Sequence, residues 1–501
     1  MPNWSRRSST SPTNLGAARR GRQKHERSWV LPKQTEGGSP TAFKTAEDLV
    51  AEVRDGHAAP SDIARSVLDD IQALDGSLNC FASLNPDDVM AQAALLDQRF
   101  AKGEDLGPLA GLPVSVKDLI VAKGHPTAFG SLTMRDNVVD LDAPVVERLR
   151  AAGAVILGKT TTSEFGCKAV GDSPLTGITR NPWNTAKTPG GSSCGAAALV
   201  AAGITPVAIG TDGGGSIRIP ASLTGLVGFK GHFGRVPAHP AAATPTLIHI
   251  GPLSRRVRDA ALMMSVISGF DERDSFSIAG PKPDYLAACE RRQKGLRVAY
   301  SPTLGYARPE PQVTEIVEAG LGRLEAAGCD IDVVEHVFDD PVEIWKTEFY
   351  SGVGTRLKTA METRRDDLDS AVTKALEGIY SLSVTDYYER VFERFQFRDR
   401  VRAFFEEYDI LATPALPVTA FDVGQNVPPG HEDRDAVSWV YYSYPFNLTG
   451  QPAVSVNAGF DADGLPVGLQ LVARSFAEET LFSLATAFEE HDPELDRRPS
   501  R

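Results

Sequence analysis

Residues 188–229 read TPGGSSCGAAALVAAGITPVAIGTDGGGSIRIPASLTGLVGF. A glycine-serine run enters a helix of small apolar residues, Cys194–Ala202, which leads to an apolar strand at Pro206–Ile209. A second glycine-rich segment, Gly210–Pro220, follows, and then a further strand at Leu226–Phe229. Strand, helix and strand in close succession predict an α/β architecture.

The same alternation continues outward. Apolar β-type runs occur at Pro113–Val116, Ala154–Leu157, Leu296–Tyr300, Ile331–Val334, Ile410–Thr413, Ala453–Val456 and Val467–Val472. Helical patterns lie at 45–54, 60–74, Pro144–Ala152, Val257–Ser268, Gln312–Ala327 and Glu478–Glu489. The second of these opens on Pro60-Ser61-Asp62, suitable first-turn chemistry. The expected fold is a central, largely parallel or mixed β-sheet covered by helices on both faces. Residues 340–407 read as all-helical and carry no catalytic motif.

The two glycine-rich segments and a third stretch, Gly111–Asp118 (GLPVSVKD), hold the candidate chemistry. A serine among glycines at a strand-to-helix junction is well placed for acyl transfer, because glycine admits strained angles and lets a substrate approach the amides. The N–H groups of Gly213, Gly214, Gly215 and Ser216 are candidate oxyanion donors, and losing one such donor typically costs about 10²–10³ in rate. The hydroxyl needs a base. His125, His232, His239 and His249 are all distant in sequence, although convergence in space leaves a Ser-His-Asp site open. Lys117, at the end of a strand-like run, serves only if burial depresses its pKa by about three units. A phosphate-cradling nest is the competing reading of the glycines. Neither G-x-x-x-x-G-K-[ST] nor G-x-G-x-x-G is present in either segment, which weighs against it.

Several stretches resemble the amidase signature family: GLPVSVKD, LRAAGAVILGKTTTSEFG, TRNPWN, TPGGSSCGAAALVAAG, GTDGGGSIRIPA, ATPALP and GQPAVSVNAGFDADGLPVGLQLVA. The similarity extends over about residues 41–490, in the company of stand-alone amidases such as fatty acid amide hydrolase and malonamidase. The A chain of the glutamyl-tRNA amidotransferases, which is glutamine-dependent, shares the motifs and is an alternative reading, as is a non-catalytic binding protein on the same fold. The resemblance implies an amidase with a Ser-Ser-Lys triad: Lys117 as base, Ser192 as relay in a cis peptide, and Ser216 as nucleophile. It implies a covalent acyl-enzyme on Ser216 and neither a metal nor an organic cofactor. Ser193, Asp212 and Arg218 are expected to hold either the substrate or the loop. Cys194 departs from the glycine many members carry there, and an inert, packed thiol is expected. Aromatic clusters at Trp439–Phe446 and at Trp345, Phe349 and Tyr350 are either a pocket wall or ordinary core.

Composition sets the remaining bounds. The net charge is −13, which argues against a nucleic-acid partner. No run of about 18 apolar residues suggests a membrane span. Five scattered cysteines with no C-x-x-C pair indicate neither a disulfide framework nor a zinc site, and suit a reducing cytoplasm. Residues 1–40 stand apart, with eight Lys/Arg against two acids, while the remainder has 44 against 63. They read as a disordered basic tail, with a transit peptide or an over-extended start as alternatives, ahead of one amidase domain at 41–501. The expected partner is a small-molecule amide, and a homodimer is admitted.

Overall fold

The computed structural model describes residues 39–500. The expectation of a basic tail therefore falls, apart from its last two residues, outside the described residues.

The strands are β1 (Phe81–Leu84), β2 (Pro113–Lys117), β3 (Val155–Thr160), β4 (Asp172–Ser173), β5 (Gly177–Ile178), β6 (Val207–Asp212), β7 (Val227–Lys230), β8 (His249–Ser254), β9 (Arg297–Tyr300), β10 (Asp330–Val333), β11 (Ile410–Pro414), β12 (Ala453–Phe460) and β13 (Pro466–Ala473). Eleven of them form one sheet in the order β1-β3-β2-β6-β8-β7-β12-β13-β11-β9-β10, and β4 and β5 form a separate pair. Parallel pairing joins β3, β2 and β6 near one end, where β1 adds an antiparallel edge, and β11, β9 and β10 at the other. The strands between them pair antiparallel. The sheet is mixed, as the sequence predicts.

Side-chain alternation explains why both faces need cover. Val207 and Ile209 enter one apolar cluster while Ala208 enters another. Ile410 and Ala412 separate in the same way from Leu411, and Val298 and Tyr300 from Ala299. The first cluster takes in the N-terminal helices together with Val257–Ile267 and Glu478–Glu490. The second joins the helices of 342–407 to the aromatic stretch 437–448. Val114 and Val116 of β2 lie in the first cluster, which leaves Ser115 and Lys117 on the opposite face.

Two sheet strands escape the sequence pattern. β1 is a four-residue edge strand without full burial, so it lacks an apolar run. β8 (HIGPLS) contains Gly251 and Pro252, which normally argue against a strand. Helix Pro60–Leu78 runs four residues past its expected end and is closed by Asn79 at φ 57°. The stretch 340–407 is helical as expected, with long helices at Val342–Thr363 and Val384–Glu407. Among the described residues no helix is long and apolar enough to cross a membrane.

Candidate active site

Lys117 closes β2 and is wholly buried. Its Nζ donates to Ser192 Oγ at 2.8 Å and to Thr211 Oγ1 at 3.0 Å, with the Thr211 carbonyl at 3.4 Å. Burial pulls the amine down from 10.5 to about 7, against weaker raising effects from Cys194 and Asp212. At that value a substantial neutral fraction exists near neutral pH, which a base requires.

Ser192 follows a cis peptide bond from Gly191, and Ser193 then leads into the helix Cys194–Ala201. Ser193 ties the two glycine loops together. Its N–H donates to the Ser216 carbonyl at 3.2 Å, its Oγ donates to the Thr211 carbonyl at 3.2 Å, and the Thr211 N–H reaches its Oγ at 3.4 Å. Ser216 is 9 % exposed and sits between the end of β6 at Asp212 and the helix Arg218–Thr224.

The amides around Ser216 divide into two sets. Gly215 N–H donates to Asp212 Oδ1 at 2.7 Å and Ile217 N–H to Asp212 Oδ2 at 3.3 Å. Gly215, expected from the sequence as an oxyanion donor, is therefore already committed to a carboxylate. The N–H groups of Gly213, Gly214 and Ser216 have no acceptor among the described residues. Gly215 adopts φ 129°, a conformation that side chains rarely tolerate.

Asp212 and Arg218 hold this loop from beneath. Arg218 is buried and uses all five of its N–H donors. Two go to Asp212 at 3.0 and 2.9 Å, one to Asn447 Oδ1 at 2.7 Å, one to Gln470 Oε1 at 2.8 Å and one to the Ser443 carbonyl at 3.0 Å. Of the two readings of Arg218, this geometry matches loop support, since no donor remains for a substrate carboxylate. Burial alone would raise the Asp212 carboxyl, but the Arg218 guanidinium holds it well below the usual carboxylate range.

The histidines lie elsewhere in the bonding scheme. His249 is buried under the loop with Nδ1 near the carbonyls of Leu247 (2.9 Å) and Asp212 (3.3 Å), and Nε2 3.4 Å from Lys230 Nζ. No histidine ring bonds to Ser192 or Ser216 among the described residues. Cys194 is buried with its Sγ 3.6 Å from Thr161 Oγ1, and burial raises its thiol pKa. The aromatic residues Trp345, Phe349, Trp439, Tyr441 and Tyr444 are core, yet Trp345 and Phe349 also back the glycine loop. A Cβ placed on Gly214 would lie 2.4 Å from Trp345 Cζ2, and one on Gly213 would lie 3.1 Å from Phe349 Cε2.

Sequence reasoning missed Thr211, Ser443, Asn447 and the role of Gln470. Thr211 and Gln470 lie inside motifs that stand out in the sequence. Ser443 and Asn447 act through tertiary contacts more than 200 residues away.

The chain matches the family model described as Amidase over residues 62–482. An acylamidase from Rhodococcus erythropolis is 35 % identical over 463 residues, covering 91 % of this chain and 97 % of that protein. The A chain of a glutamyl-tRNA(Gln) amidotransferase from Synechococcus is 36 % identical, covering 89 % and 97 %. The crystal structure of a bacterial aryl acylamidase superposes with a TM-score of 0.87 at 29 % identity, covering 92 % of this chain and all of that one. With the motifs in order, the loops assembled at the ends of β2 and β6, and the match spanning most of the chain, the protein belongs to the amidase signature family.

Proposed function

We propose that the protein is a free-standing amidase that converts a carboxylic amide to a carboxylate and ammonia or an amine. The observation that carries the reading is the short bond between the buried, pKa-depressed Lys117 and Ser192, beside a loop of open amides ending at Ser216. Neutral Lys117 takes the Ser192 proton as Ser192 takes that of Ser216, and Ser216 Oγ attacks the carbonyl carbon. The developing oxyanion is met by the open N–H groups of Gly213, Gly214 and Ser216. The proton returns through Ser192 to the leaving nitrogen, the C–N bond breaks, and an acyl-Ser216 remains. Water, deprotonated by the same relay, releases the acid.

Acylamides come first as substrates, since they are what the names of the Rhodococcus and aryl acylamidase relatives state for those proteins. The second reading, the A chain of a glutamyl-tRNA amidotransferase, draws on the comparable identity to the Synechococcus protein. A turnover screen over 4-nitroacetanilide, benzamide, phenylurea and glutamine separates them. Direct anilide or primary-amide turnover by the isolated chain supports the first. Activity confined to glutamine, and dependent on added amidotransferase partner chains and tRNA, overturns it.

A further inference from the structure

We propose that Trp345, in a helix that carries none of the amidase motifs, is a positioning residue for the oxyanion site: its indole N–H aims the Gly214 amide at the substrate oxygen. The inference rests on the acyl-transfer reading above.

A peptide unit is planar and trans, so a carbonyl held in place aims the N–H on the other side of the same bond. Every carbonyl from Asp212 to Ser216 is held. Asp212 accepts from Asn447 Nδ2 at 2.9 Å, Gly213 from Trp345 Nε1 at 2.8 Å and Gly214 from Ser443 Oγ at 2.6 Å. Gly215 accepts from Ile219 N at 2.7 Å and Ser216 from Ser193 N at 3.2 Å. Two of the five amides thus aimed, those of Gly215 and Ile217, are spent on Asp212. Gly213 is aimed through Asn447, part of the Asp212–Arg218 network, and Ser216 through the first turn of its own helix. Gly214 alone among the three open amides is aimed by a residue from the 342–407 helical region.

Trp345 suits that task. Its ring is almost completely buried and stacks on Phe349 at 4.6 Å and on Tyr444 at 5.8 Å, so the indole has one orientation. The indole N–H only donates, so it fixes the carbonyl without ambiguity. The ring lies so close to Gly214 that no side chain fits there. Packing alone would need only the ring's shape. The hydrogen bond is what a packing role would not require.

The test replaces Trp345 by Phe and, to keep the shape, by 3-benzothienylalanine, in which sulfur stands where the N–H was. Four quantities are read: kcat and KM for 4-nitroacetanilide, melting temperature, and the Ki of trifluoroacetophenone. That ketone adds reversibly to Ser216 Oγ, its carbonyl oxygen becoming an alkoxide in the oxyanion site while the serine proton passes to the Lys117 relay. A mis-aimed donor acts in the tetrahedral state and little in the ground state. The benzothienyl variant is expected to lose about ten- to a hundredfold in kcat, with KM within about threefold of wild type. Its ketone Ki should weaken by the same factor as kcat/KM. Wild-type ketone affinity in that variant, whatever its melting temperature, overturns the proposal and leaves Trp345 a core residue. If the ketone binds the wild type no better than Ser216→Ala, the acyl-transfer reading fails and this proposal falls with it.

Discussion

The amine of Lys117 and the hydroxyl of Ser192 lie 2.8 Å apart, contributed by positions 75 residues distant in sequence and both shut away from solvent. A lysine in that setting has its pKa drawn down to about 7 by the cost of burying its charge, so that a large share of it is neutral near neutral pH. Its chemistry and its energetic penalty have one origin.

The pH profile follows from that lysine. Its folded pKa is lowered from 10.5 to about 7, and only the neutral amine accepts a proton. The kcat/KM should rise about tenfold per pH unit below pH 7 and level above it. A rise that continues to pH 10 would contradict the assignment. Lys117→Ala and Ser216→Ala should each be severe, and the double variant little worse than the worse single one.

Stability carries the opposite mark of the same residue. Between pH 7 and 10.5 the unfolded chain binds a proton at Lys117 that the folded one releases, so wild-type stability gains from this group as pH rises. At pH 7 the cost is on the order of 4 kcal/mol. Lys117→Met keeps the length without the charge, with part of the gain offset because Ser192 and Thr211 lose a donor. The variant should be inactive yet melt above wild type at pH 7, with the gap closing by pH 10. Thermal melts at the two pH values read this directly, and a lower melting temperature at both refutes it.

Arg218→Met should strike stability and rate together. It leaves the buried Asp212 carboxylate unpaired, which typically costs about 3–5 kcal/mol, and it frees the loop that carries Gly213–Ser216. Denaturant unfolding and kcat for 4-nitroacetanilide are the measurements. A change confined to KM for acidic substrates, with unaltered unfolding, would make Arg218 a substrate clamp instead.

Chemical labelling separates Ser216 from Cys194. A fluorophosphonate should label the peptide that contains Ser216 and leave Ser216→Ala untouched. The buried, raised-pKa thiol of Cys194 should resist iodoacetamide in the native protein. Cys194→Ala should retain activity within about threefold. Labelling that maps to Cys194 would displace Ser216 as nucleophile.

Removing residues 1–38 should change neither melting temperature nor turnover. The cut stops short of Ser39, whose hydroxyl donates to Asp70 Oδ2 at 2.6 Å. A fall in either quantity would show that the basic segment packs on the enzyme.

The family, the α/β class, most of the sheet strands and the glycine-rich loops that bring Lys117 to Ser192 were legible in the order of the residues alone. Those features are local: apolar runs bounded by glycine and proline, and short motifs whose spacing places a lysine at one strand end and a serine at another. Tertiary contacts settled everything that depends on one element meeting another. They spent the Gly215 amide on Asp212 and all five donors of Arg218 on the loop's own support. They placed the edge strand β1 and the proline-bearing β8 in the sheet, where pairing partners outweigh weak local signals. They brought Trp345, Ser443 and Asn447 from later in the chain against a loop more than 100 residues earlier. No local pattern announces such contacts, because a buried carbonyl needs a donor without specifying which part of the chain supplies it.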